Sequence, residues 1–260
     1  MVLHAHEWGP PDGPAVLVIH GVRNIGARYR RLAEDGLPRH RVVAPDLRGH
    51  GRSTWQPPWD VATHVDDLVR LLDARGIGRT DVVAHSFGGL LALRLAARLP
   101  SRVGRIALLD PAVALPATLC RESADADLHG QGRAATFASV DEARVAWLSI
   151  RPPAGQWAVD EDLATFLEQG DDGLWRYRYS RAAAIVAWSE MALPPHPLTA
   201  FEGRVMLVRA TRDDFVTPAL RERLTRDLGP RFAERTIDAG HMLFWDAHEE
   251  TAAVLRDFLA

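Results

Sequence analysis

Apolar positions along the chain follow two rhythms. Short continuous runs at Ala15–Ile19, Arg41–Asp46, Val82–Ala84, Arg105–Asp110 and Arg204–Thr211 read as strands buried on both faces. Between them, spacings of three and four predict helices. Val61, Val65, Leu68, Leu71 and Leu72 mark one over Asp60–Arg75, with Gly76 as its stop. Others follow over Leu90–Leu99 (ended by Pro100), over Pro218–Asp227 and over His248–Ala260. Val2–Trp8 reads as a first strand, turned by Gly9-Pro-Pro-Asp-Gly-Pro14, and Glu234–Gly240 as the last. Strand and helix alternate, which predicts an α/β fold: a mostly parallel sheet flanked by helices, with reactive groups beyond the carboxyl ends of the strands.

From about 115 to 198 the rhythm breaks. Strand-like runs vanish, polar helical segments appear, and Trp147, Trp157, Phe166, Trp175, Tyr177, Tyr179 and Trp188 accumulate before Pro194-Pro-His-Pro197. This reads as a mostly helical cap, residues 115–198, inserted into a core domain of residues 1–114 and 199–260. Most of its aromatics are expected to form the cap's own small core, with Trp147 and Trp188 the candidates for lining a pocket.

Composition narrows the chemistry. All 31 basic residues are Arg and none is Lys, which excludes Schiff-base and pyridoxal-phosphate chemistry and a P-loop. A formal net charge of −3 gives no reason to expect nucleic acid. The single Cys120 makes neither an internal disulfide nor a zinc site. His4 and His6 fall on one side of the first strand and read as surface histidines, so no metal or other cofactor is expected. No apolar run nears the roughly 20 residues of a membrane span, and no secretory signal opens the chain, so a cytoplasmic protein acting on a small molecule is expected.

The chemistry centres on Ala84-His-Ser-Phe-Gly88, where a buried strand gives way to a helix. A turn that tight requires small flanking residues and holds Ser86 in a strained, exposed conformation. This is the G-x-S-x-G nucleophile elbow with Ala84 in place of the first glycine. A serine hydroxyl needs a base to take its proton, and the base needs an acid to hold its tautomer. Asp213 and Asp214 lie just beyond one late strand and His241 just beyond the last, in the order Ser, Asp, His associated with an elbow.

His20-Gly21, Asp46-Leu-Arg-Gly-His-Gly-Arg-Ser53, His85-Ser-Phe-Gly-Gly89, Asp214-Phe-Val-Thr-Pro218 and Gly240-His241-Met together resemble the α/β-hydrolase fold superfamily with a helical cap. The resemblance implies Ser86 as nucleophile, His241 as base and, from the family's acid four residues before the proline, Asp214 as its partner. Asp213 then falls to a loop or ion-pair role. In some members the acid follows the strand before the cap, which leaves Asp110 as a third candidate. The amides of Val22 and Phe87 would form the oxyanion hole, and Phe215 and Met242, with Trp147 and Trp188, would bind substrate in an enclosed, largely apolar pocket. Serine at the elbow argues against haloalkane dehalogenases and epoxide hydrolases. The expected activity is hydrolysis of a small to medium apolar carboxylic ester, lactone or thioester. The alternatives are hydrolysis of a carbon–carbon bond in a diketone-like substrate, or a ligand-sensing binding protein on the same fold.

Overall fold

The computed structural model describes residues 3–131, 136–150, 153–213 and 215–260. In chain order the first half runs β1 (Ala5–Trp8), β2 (Ala15–Ile19), α1 (Arg30–Gly36), β3 (Arg41–Pro45), α2 (Val61–Ala74), β4 (Thr80–His85), α3 (Phe87–Arg98) and β5 (Val103–Leu109). A segment of different character follows, with α4 (Ala117–Leu128), α5 (Val140–Ser149), α6 (Val159–Phe166), β6 (Leu167–Gln169), β7 (Trp175–Tyr177) and α7 (Arg181–Met191). The chain then returns to the sheet with β8 (Val205–Ala210), α8 (Pro218–Leu228), β9 (Phe232–Ile237), α9 (Leu243–Asp246) and α10 (His248–Leu259).

Among the described residues, seven strands form the main sheet in the order β1-β3-β2-β4-β5-β8-β9. Within this sheet, among the described residues, β1 pairs antiparallel with β3 and the other pairings are parallel. Alternation along each strand sends its side chains into two cores. Leu17, Ile19, Val82, Ala84, Leu108 and Leu207 face one, packed by α2, α3 and α8. Val16, Val18, Val83, Ala107, Leu109 and Val208 face the other, packed by α1 and α10. A sheet covered on both faces is what continuous apolar runs require.

The helix expected over Asp60–Arg75 is α2. Its N-cap Asp60 accepts from the Thr63 amide at 2.9 Å. It ends in a Schellman motif: Ile77 N–H donates to Leu72 O at 2.9 Å and Gly76 N–H to Asp73 O at 3.1 Å, with Gly76 at φ +66°. Two readings need correction. The helix expected from Leu90 begins three residues earlier, at Phe87, because Gly88 packs its backbone onto β2; an added Cβ there would lie 2.2 Å from Ile19 O. Strands also do occur within 115–198: β6 and β7 form an antiparallel pair in which Leu167 faces Tyr177. Among the described residues no helix is long and apolar enough to cross a membrane.

Candidate active site

Ser86 sits between β4 and α3 at φ +54°, ψ −124°, a region that costs a non-glycine residue about 1–3 kcal/mol. Three backbone bonds hold it there. Its N–H donates to Leu109 O at 3.2 Å, and its carbonyl accepts from Gly89 at 2.9 Å and Ala112 at 3.1 Å. Gly21 presses against it from β2's loop, where a Cβ would fall 2.7 Å from Ser86 Cβ. Ala84, the departure from the motif, is fully buried in β4 beside Ile19 and Leu108 and fits the sheet without displacing it.

His241 follows β9. Its Nδ1 lies 2.6 Å from Asp110 Oδ2. Asp110 is fully buried at the end of β5, at φ +43°, and its Oδ1 accepts from the Ala210 amide at 3.3 Å. A carboxylate so placed makes Nδ1 the protonated nitrogen and leaves Nε2 as the basic one. Among the described residues the Nδ1 partner is therefore Asp110, the third-ranked acid of the sequence. Asp214, favoured by its spacing to Pro218, lies outside the described residues. Asp213 serves the backbone: its Oδ2 accepts from His241 N–H at 2.8 Å. His85 Nε2 donates to His241 O at 2.8 Å, and the Phe215 ring lies over the imidazole with centroids 4.2 Å apart. His241 is thus gripped through its backbone N–H, its carbonyl, Nδ1 and a ring face.

Both groups border a cleft of about 320 Å³ lined by Val22, Arg23, Asn24, His85, Ser86, Ile150, Trp188, Asp213, Phe215, His241 and Met242. Phe215, Met242 and Trp188 are among the lining residues. Trp147 is not. It is buried against Trp245, and its indole N–H is bonded to the buried Asp162 carboxylate. The lining is also not largely apolar, since Arg23, Asn24, Asp213 and the two histidines share it with the apolar side chains.

Phe87 is the first residue of α3, so its amide has no partner within the helix and projects from the end beside Ser86. The loop bearing Val22 is held by two buried histidines. His20 Nε2 accepts from the Leu47 amide at 2.8 Å while its Nδ1 donates to Gly21 O at 2.7 Å. His50 Nε2 accepts from the Arg23 amide at 3.2 Å while its Nδ1 donates to Arg48 O at 3.1 Å. Each ring must be neutral to do this. Burial, aided by the neighbouring His50, holds His20 well below the ordinary histidine range, and burial brings His50 to about 4.

Arg23, itself at φ +56°, reaches into the 115–198 segment. Its guanidinium donates to the fully buried Asp127 of α4, at 2.6 Å for the Nη2–Oδ2 pair. The same carboxylate accepts from Tyr179 OH at 3.1 Å and from the Trp188 indole at 3.0 Å. One carboxylate thereby fixes the loop after β2 and a wall of the cleft. No local sequence pattern marks Asp127; His20 stands in a motif, but its role as a backbone acceptor appears only in three dimensions.

The alpha/beta hydrolase fold family matches the chain over residues 14–248. The chain is 39% identical over 264 residues to "Lipase LipV" of Mycobacterium tuberculosis, covering 99% of this chain and 97% of that protein. It is 32% identical over 231 residues to "3-hydroxybutyrate-oligomer hydrolase" of Cupriavidus necator, covering 81% and 77%. The crystal structure of E-2-(acetamidomethylene)succinate hydrolase superposes with a TM-score of 0.85 at 21% identity, over 99% of this chain and 94% of that one.

Proposed function

We propose, for a chain that belongs to the α/β-hydrolase fold family and is a hydrolase, that it cleaves carboxylic esters through Ser86, His241 and Asp110. The observation that carries this reading is the 2.6 Å contact of His241 Nδ1 with the buried Asp110, in a cleft shared with Ser86 on its positive-φ turn. Ser86 Oγ attacks the ester carbonyl as His241 Nε2 takes its proton. The amides of Val22 and Phe87 receive the oxyanion, each donor contributing about 3–4 kcal/mol to the transition state. His241 then gives the proton to the departing alkoxide, leaving an acyl-serine. Water attacks this ester, again losing a proton to His241, and Ser86 is restored with release of the acid.

In this reading residues 115–198 form the cap over a core of 1–114 and 199–260, through Ile150 and Trp188. The cleft's size suits small to medium acyl groups, and Arg23 and Asn24 suit a polar atom on the substrate. Relatives named a lipase and a 3-hydroxybutyrate-oligomer hydrolase support an ester over a diketone. The test is kcat/KM over nitrophenyl esters of graded acyl length beside diketone substrates. The expected profile gains about fourfold per CH₂ (~0.8 kcal/mol each) and falls once the cleft is full. Faster cleavage of a diketone, or a profile still rising at long-chain lipids, would overturn the substrate assignment.

A further inference from the structure

At the sheet edge formed by β1, His4, His6 and Asp46 bring their donor atoms within 4.8 Å of one another. His4 and His6 lie two residues apart, so both side chains leave the same face of the chain at the antiparallel sheet edge. Their rings meet edge to face with centroids 4.9 Å apart, and His6 Nε2 stands 3.6 Å from Asp46 Oδ1. His4 Nε2 is buried and finds no hydrogen-bond partner among the described residues. A buried ring nitrogen without a partner is costly unless something fills it.

The backbone around these side chains is fixed. His4 N–H donates to Ser53 Oγ at 2.9 Å, Ser53 Oγ–H to Asp46 O at 2.6 Å, and Asp46 N–H to His4 O at 2.9 Å. The Asp46 carboxylate is oriented by the amides of Gly26 and Arg52, each at 2.9 Å, as outer partners orient a ligating carboxylate. His6 and Asp46 also border a cavity of about 90 Å³, with room for water. Of the arginines lining it, Arg178 is paired with Glu168, while Arg52, like Arg75 beyond the cavity, opposes a positive charge at His4.

We propose that His4, His6 and Asp46 form a binding site for one borderline divalent transition cation of the Zn²⁺ class, with water completing its shell. Two imidazoles and a carboxylate favour that class over Mg²⁺ or Ca²⁺. A tetrahedral zinc with bonds of about 2.0–2.1 Å needs donors about 3.4 Å apart; His6 Nε2 and Asp46 Oδ1 already stand 3.6 Å apart, and the His4 donor lies within 4.8 Å of both. The ion would tie edge strand β1 to the loop carrying Asp46, whose next residue, Leu47, donates to His20.

The test is calorimetric titration of the EDTA-treated full chain with ZnCl₂, with MgCl₂ as control. Expected are one equivalent of Zn²⁺ bound, a raised Tm, no response to Mg²⁺, and affinity lower by about tenfold or more in a His4→Gln/His6→Gln variant that circular dichroism shows folded. In the unsubstituted protein, imidazole NMR signals of His4 and His6 should shift first. Equal affinity in the variant, or shifts confined to other histidines such as His241 and His248, would overturn the site.

Discussion

Two of the described aspartates reach His241, and position separates their work. Asp110 reaches the ring through a fully buried carboxylate, and Asp213, among the described residues, accepts from the backbone amide. Asp110→Asn should therefore lower kcat/KM by up to ~10⁴-fold, since an amide no longer favours the Nδ1–H tautomer or the imidazolium. Asp213→Asn keeps an oxygen acceptor for the amide and should cost far less. If Asp214→Asn proved the most damaging of the three, spacing to Pro218 would be the better guide and Asp110 a structural acid. The placement of Ser86 on a strand-to-helix turn and of His241 just beyond the last strand was legible because each occupies a short local motif. The contact of Asp110 with the His241 ring was not, because an Asp-Pro pair at a strand end reads as a turn. What singles out Asp110 is its burial and its φ of +43°, neither of which shows in sequence. Trp147 failed for a related reason: an aromatic in a cap packs into its core unless geometry turns it outward.

At the level of elements, β4, the Ser86 turn and α3 form a rigid unit braced by Gly21, and α4 braces the opposite wall through Asp127. Asp127→Asn keeps the shape but leaves the mostly buried Arg23 guanidinium without its counter-charge, and it weakens the anchors of Tyr179 and Trp188. Breaking such a pair costs on the order of 3–5 kcal/mol. A fall of that order in urea-unfolding free energy is expected, along with a raised KM as the loop at Arg23 and the Trp188 wall loosen. An unchanged unfolding midpoint would remove Asp127 from this role. The main strands and α2 were readable because continuous apolar runs and a capped 3.6-residue period leave few alternatives. The β6–β7 pair was not, since three-residue strands fall below the length at which alternation carries a signal.

For the whole molecule, the buried histidines set the response to acid. Burial holds His20 well below its ordinary range and brings His50 to about 4 and His64 to about 3. Between an unfolded value of about 6.5 and these folded values, the unfolded chain binds more protons than the folded one. The contribution to stability is full above about 6.5 and is lost progressively as pH falls towards the folded values. Urea midpoints should drop steadily from neutral pH to about 4.5, and His50→Gln, which can still accept from the Arg23 amide, should flatten part of that slope. A midpoint independent of pH over this window would mean that these rings are not kept neutral by the fold.

Every step of the proposed hydrolysis runs through Ser86 as the nucleophile. That role is tested most directly by adding a fluorophosphonate to the folded protein and mapping the adduct by peptide mass spectrometry. One phosphonyl group per chain is expected, on Ser86, with ester hydrolysis lost in step with labelling and no labelling or turnover in a folded Ser86→Ala protein. Labelling at another residue, or hydrolysis that survives in Ser86→Ala, would contradict it.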